Sequence, residues 1–329
     1  MEIDKSNMRE VINQSANQFA KGIKLAEGIR VEGNFKNIII CGIGGSALPP
    51  DIITSLVVPS IPIYVHRDYN LPKEANENSL IIGMSYSGNT EETISAIQEA
   101  VEKGLKCIGI ATGGKLEEIS KENNFPFVKI LSGIQPRSAT GYLFSALSTV
   151  LANCQIIPDL SKDILETSEK LSKINAELEK KGETLAKKLV DKIPIVYASS
   201  NLQAVARIWK IKFNENSKVP AFYNFLPELN HNEMVGYTQV KETSNFHVLI
   251  IKDTDDHERT TKRMNLLAGI LKDKKIETDF VETKEGSLMF RMFASLLLGD
   301  WTTYYLALNY SIDPTPVVMV EEFKSKMAE

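Results

Sequence analysis

The sequence is short of the side chains that hold metals or form disulfides. Its 329 residues include three cysteines, four histidines and two tryptophans. Cys41, Cys107 and Cys154 lie far apart, form no Cys-x-x-Cys pair and have no histidines gathered near them. That argues against a zinc site and implies no disulfide framework. Cys41 and Cys107 sit in apolar, strand-like runs and read as small buried hydrophobes. Neither sign of charge dominates: 38 basic side chains face 42 acidic ones, for a net charge of −4. A duplex-DNA binder normally shows a basic face, so nucleic acid is not an expected partner, although a pocket for a small anion is still open. No run approaches the roughly 18 apolar residues of a membrane span. The opening stretch "MEIDKSNMREVINQSANQF" lacks the apolar centre of a signal segment. The expected class is a cytoplasmic enzyme or binding protein with no membrane partner.

What is abundant is alternation. "NIIIC", "IPIYVH", "SLIIGM", "CIGIA" and "PFVKI" are short aliphatic strands, and helical segments separate them. After a Lys/Glu/Ser-rich helical stretch the pattern restarts with "IPIVYASS", "FHVLIIKD" and "IETDFVET". Continuous apolar strands alternating with helices predict an α/β fold, with parallel sheets covered on both faces. Residues 5–29 predict one or two amphipathic helices, and 288–308 a long apolar one that is either core or interface. The expected division is an N-terminal domain over 1–155, a helical connector over 156–190 and a C-terminal domain over 191–329.

Two glycine-bearing turns in the first half end strands and open helices. "CGIGGSALPPD" supplies Gly45 and Ser46, and "MSYSGNTEET" supplies Ser85, Ser87 and Thr90. Amide N–H groups at a helix start, together with hydroxyls, suit phosphate oxygens. Two other readings compete. "GIGGSA" approaches a dinucleotide fingerprint, with Asp68 as the acid, but that leaves the Ser/Thr-rich turn unexplained. Simple helix capping would use Asn89, which has Glu92 three residues on. No Gly-Lys-Ser/Thr follows either turn, so a triphosphate loop is not indicated. In the second half, Glu215, Glu228, His231 and Glu233 cluster among asparagines, prolines and aromatics. A carboxylate and an imidazole fit acid–base chemistry. Spacing alone does not choose His231 over His66, which lies near a strand end.

"SYSGNTEET" after an apolar strand, with "GIGGSA" upstream, resembles the sugar isomerase (SIS) domain family, whose members bind phosphorylated sugars. "HRDYNLP", "PRSATGY", "FNENSK" and "LPELNHNEMVGY", in that order, resemble the bifunctional phosphoglucose/phosphomannose isomerases. The resemblance runs from about residue 35 to the last few residues and is weakest in the connector. It implies two SIS-type αβα sandwich domains with mostly parallel sheets. It further implies metal-independent interconversion of glucose 6-phosphate and mannose 6-phosphate with fructose 6-phosphate through an enediolate, without a cofactor. By the same resemblance Glu215 is the base and Arg137 faces the enediolate. His231 opens the sugar ring from across a homodimer interface, and Lys324 assists, with Lys326 two residues away. Gly45, Ser46, Ser85, Ser87 and Thr90 bind the phosphate. A base shared by both aldoses requires slack at the sugar's C2, expected near Thr302 or Thr303. The competing classes are a SIS enzyme of other specificity and a non-catalytic sugar-phosphate sensor. A sensor would need a DNA-binding segment, none of which is visible, and would have no use for Glu215, His231 and Lys324 together.

Overall fold

The computed structural model describes residues 3–239 and 245–327. In chain order the elements begin with helices α1 (Met8–Asn13) and α2 (Asn17–Leu25), strand β1 (Asn37–Cys41), helix α3 (Leu48–Leu56) and strands β2 (Ile63–His66) and β3 (Ser79–Met84). Then come α4 (Glu91–Glu102), β4 (Lys106–Ala111), α5 (Gly114–Glu122), β5 (Phe127–Lys129), α6 (Thr140–Asn153) and the long α7 (Ser161–Lys188). The remainder is β6 (Ile193–Ser199), α8 (Gln203–Glu215), β7 (Phe222–Leu226), β8 (Phe246–Lys252), α9 (Glu258–Asp273), β9 (Glu277–Glu282), α10 (Leu288–Asn309) and α11 (Val318–Met327). Two compact units result. One is residues 14–172; the other joins the described residues up to Asn13 to those from Lys173 onward, so α7 runs through the division.

In the first unit five parallel strands take the order β2-β1-β3-β4-β5. β1 and β3 are buried along their whole length, which is why they read as unbroken aliphatic runs rather than alternating ones. One face of this sheet, with Ile39, Ile81 and Cys107, packs on Ala96, Ile97 and Ala100 of α4 and on Leu116 and Ile119 of α5. The period of two sends Ile38, Ile40, Ile82 and Ile108 to the other face, where α3 and α6 lie, α6 being backed by α2. The strand order reverses between β1 and β3. In open parallel sheets that reversal opens a crevice at the carboxyl ends of the strands.

The second unit holds four parallel strands in the order β7-β6-β8-β9. Ile195, Tyr197, Val248 and Ile250 pack on Met264, Leu267 and Leu271 of α9. β7 is an aromatic-rich edge strand, FYNFL, with no Ile/Val/Leu run to announce it. The apolar α10 is core: most of its residues are buried, and Trp209 of α8 donates its indole N–H to Ser295 O at 3.0 Å. Among the described residues, no helix is long and apolar enough to cross a membrane.

Candidate active site

The two glycine turns leave β1 and β3, the strands that flank the first sheet's reversal point. Cys41 and Gly83 are register partners there, so the turns start side by side. Gly45 has no room for a side chain, because a Cβ would lie 2.8 Å from Arg137 N and 2.7 Å from Pro136 C. Ser46 is buried, and its hydroxyl oxygen accepts the Tyr86 N–H at 2.9 Å, which stitches the first turn to the second. An oxygen that accepts still has a proton to donate.

The second turn is wired from within. Ser85 is fully buried; its hydroxyl oxygen accepts the Gly88 N–H at 3.0 Å and shares a 2.8 Å hydrogen bond with the Thr90 hydroxyl. Ser87 is exposed and Thr90 half-buried, so they form the rim. Thr90 occupies the position that caps α4, but its side chain makes no hydrogen bond to the helix's first amides. Helix-start N–H groups left without a cap, together with the positive end of the helix dipole, suit an anion. Asn89 therefore does not cap α4 as its spacing suggested. Its side-chain oxygen accepts the Lys115 N–H at 2.9 Å, so it serves the first turn of α5 instead.

Arg137 is 2% exposed and lies in a short 3-10 turn, Pro136–Ser138, against Gly45. Its Nη1 donates to Gln135 Oε1 at 3.3 Å. Tyr86 ties this segment to the turn after β3: its hydroxyl donates to Leu131 O at 3.0 Å and accepts the Ile134 N–H at 3.3 Å. Burial pushes the Tyr86 phenol above its ordinary value, so it stays a neutral donor. A hydroxyl-lined helix start and a buried guanidinium are thus held in one rigid assembly.

The reversal point of the second sheet carries opposite chemistry. The turn after β8 supplies Asp253, Asp255 and Asp256, and Arg291 is locked onto it. The guanidinium, 4% exposed, pairs with Asp253 at 2.8 Å and Asp255 at 2.5 Å. Arg291 is thereby committed to this turn, whose three carboxylates outnumber it and disfavour phosphate.

Glu215 is the last residue of α8 and is half-buried. The residues around it are anchored to α10. Lys212 Nζ pairs with Asp300 at 2.5 Å, Asn216 Nδ2 donates to Thr303 Oγ1 at 3.0 Å, and Ser217 Oγ donates to Thr303 O at 2.7 Å. Lys218 Nζ donates to the Glu215 and Pro314 carbonyls, closing the helix end. Thr302 and Thr303 are fully buried and donate their hydroxyls to Leu298 O and Gly299 O, each at 2.8 Å. They act as helix-packing braces, not as the loose pocket wall expected of them.

The structure gives three of the four histidines other jobs. His66 meets Tyr69 O at 3.3 Å, His247 is buried 2.9 Å from Asp279 Oδ2, and His257 caps α9 by accepting the Arg259 N–H at 3.1 Å. His231 ends the 3-10 turn Glu228–His231, is exposed, and has no partner among the described residues. Glu233 is bound by Tyr197 and Asn224. Lys324 and Lys326 lie on α11, none of whose residues is buried. Sequence reasoning missed Gly113 and Gly114, which begin α5. A Cβ on Gly88 would lie 1.8 Å from Gly113 O, and one on Gly114 would lie 2.6 Å from Ser87 O, so this pair of glycines seats the turn after β3. The "TGG" at the end of β4 was the available signal.

Residues 178–327 match the family described as bacterial phospho-glucose isomerase C-terminal SIS domain. A bifunctional phosphoglucose/phosphomannose isomerase of Caldicellulosiruptor bescii is 37% identical, over 98% of this chain and 99% of that protein. The chain belongs to the bifunctional phosphoglucose/phosphomannose isomerase family. A member from Thermoplasma acidophilum is 34% identical over 94% of this chain and 98% of its own length. The fold is shared more widely. The crystal structure of tagatose-6-phosphate ketose/aldose isomerase from Escherichia coli matches with a TM-score of 0.67 at 16% identity, covering 93% of each chain. The two parallel sheets are those of a fold shared with solved sugar-phosphate isomerases.

Proposed function

We propose that this chain interconverts glucose 6-phosphate and mannose 6-phosphate with fructose 6-phosphate through a cis-enediolate. The observation that carries the reading is the anion grip at the β1/β3 reversal point. There the amides of α4 lack a side-chain cap, and Ser46, Ser87 and Thr90 stand by to donate to a phosphate ester. Ser85 shapes the grip from inside. Glu215 takes the proton from C1 or C2 of the open-chain sugar and returns it to the neighbouring carbon. Arg137, whose charge is permanent, stabilises the oxyanion formed between those steps and cannot quench the base with a proton. Rotation about C2–C3 of the enediolate lets one base serve both aldoses. His231 and Lys324 open the cyclic substrates, His231 acting from the second subunit of a homodimer. Charge on the intermediate is balanced by arginine and amides, so the chemistry calls for no metal.

The test is fructose 6-phosphate in the presence of a chelator, with glucose 6-phosphate and mannose 6-phosphate followed separately by carbon NMR. Both should appear. One aldose alone, or a product altered elsewhere on the ring, would establish a SIS enzyme of other specificity. Glu215→Gln should lower kcat by about 10²–10⁴-fold with KM nearly kept. Turnover that survives this change removes Glu215 from the role of base.

A further inference from the structure

The segment bearing His231 is clamped to the second sheet by a carboxylate that the proposed reaction does not use. Glu233 opens the 3-10 turn Glu233–Thr238, two residues past His231. One of its carboxylate oxygens accepts the Tyr197 hydroxyl and the other accepts the Asn224 amide. Tyr197 on β6 and Asn224 on β7 are register partners, so the carboxylate bridges a cross-strand pair. Tyr197 is fully buried, and its hydroxyl lies 2.6 Å from that of Tyr237, near the far end of the same 3-10 turn. Burial, with Tyr237 beside it, lifts the Tyr197 phenol far above its usual value, and burial pushes Tyr237 up to about 12. Both are protonated at neutral pH.

Asn232 completes the arrangement. Its side-chain oxygen accepts the Glu233 N–H at 2.6 Å, and its amide donates to Glu228 Oε1 at 2.9 Å. The backbone on both sides of His231 is bonded, Asn230 N–H donating to Pro227 O at 3.1 Å and Asn232 N–H to Leu229 O at 3.4 Å, while the imidazole is exposed and has no partner among the described residues. A fixed backbone under an uncommitted ring suits a group that must meet a ligand in one geometry.

We propose that Glu233 is a positioning residue for sugar-ring opening, its carboxylate bridging Tyr197 and Asn224 so that His231 is presented in register. This rests on the ring-opening role assigned to His231. Gln at 233 keeps the size but offers one acceptor and one donor, so it cannot accept from both partners.

The direct readout of ring opening is enzyme-catalysed exchange between the α and β anomers of glucose 6-phosphate, measured by exchange NMR. Anomer exchange requires opening but not proton transfer between C1 and C2. Glu233→Gln should slow anomer exchange by about 10–100-fold and isomerisation by less, because a displaced imidazole costs the opening step first. Tyr197→Phe, which removes one donor and keeps the ring, should produce a smaller loss with the same ratio, and it decides the matter if Glu233→Gln does not fold. A merely structural role would lower both rates in equal proportion, and that result, or no loss, overturns the proposal. His231→Ala separates the two layers. If it abolishes anomer exchange while the clamp variants keep it, only the clamp falls. If it leaves exchange intact, the ring-opening role falls and takes the clamp with it.

Discussion

Gly88 carries no side chain because Gly113 leaves it none to carry. Its φ of +76° is in the region glycine favours, and the nearest backbone oxygen would sit 1.8 Å from a Cβ. Gly88→Ala should therefore destabilise the chain by about 1–3 kcal/mol, from the left-handed backbone and the displaced α5 turn. It should also raise KM for the phosphorylated substrate, which urea titration and initial rates will read separately. Ser87→Ala is the gentler probe. Ser87 is exposed on the rim, so stability should hold while KM rises about tenfold, the worth of one hydrogen bond to a charged oxygen. An unchanged KM would remove Ser87 from the phosphate grip. The motif put Gly45, Ser46, Ser85, Ser87 and Thr90 forward together, but it did not separate Ser85, which is buried inside the turn, from Ser87 and Thr90, which rim it. That distinction is a matter of which way each hydroxyl is turned, and adjacent residues in an irregular loop carry no period from which to read it.

At the scale of elements, a cluster of polar contacts joins β9 to β8 and to the end of α7. His247 of β8 lies between Asp279 and Glu277 of β9, at 2.9 and 3.4 Å, and Lys188 and Lys192 pair with the same two carboxylates. Partial burial alone would raise the Asp279 carboxyl, but the bonds from Lys188 and His247 outweigh it and hold the group below its ordinary value. The hydrogen bond from Lys192 does the same for Glu277. The folded values lie below the unfolded ones. The stabilisation is therefore fully present above the unfolded pKa near 4 and is lost as pH falls through the folded values. Asp279→Asn should cost about 1–3 kcal/mol at pH 7, and the gap from the unmodified protein should narrow as pH falls through and below the unfolded carboxyl value near 4. A gap independent of pH would show that packing, not charge, is what Asp279 supplies. Helices α8 and α10 were legible as elements from their apolar spacing. That Lys212 and Asp300 pair between them, and that Thr303 braces the residues after Glu215, was not legible, because those partners lie far apart in the chain.

For the whole molecule, the strongest prediction concerns subunits. If His231 acts across a homodimer, the inactive variants Glu215→Gln and His231→Ala should rescue each other when unfolded and refolded together. Random pairing makes half the dimers mixed, each with one intact site, so activity should return to about a quarter of the unmodified level. No rescue would place His231 and Glu215 in sites of a single chain. Helix α11 offers a second probe. None of its residues is buried, and Met319, Phe323 and Met327 repeat every fourth position on its exposed surface. Deleting residues 318–329 should leave the melting temperature nearly unchanged. If Lys324 assists ring opening, anomer exchange should slow more than isomerisation does; equal losses would point to a role in packing alone.

The sequence by itself determined the alternation of buried strands and helices, the two glycine turns, and the family, because each is written in residues close together along the chain. Aliphatic runs report burial on both faces of a sheet, and a glycine reports a backbone that needs one. Tertiary structure alone decided which turns face each other and which carboxylate is committed. Strand order put the turns of β1 and β3 together at the reversal point of the first sheet and gave the matching crevice of the second to Arg291 and its aspartates. It likewise left the His231 ring without a partner among the described residues while binding Glu233 on both oxygens. Such pairings depend on segments brought together by sheet order, and no local pattern of residues encodes the distance between two side chains that meet only after the chain has folded.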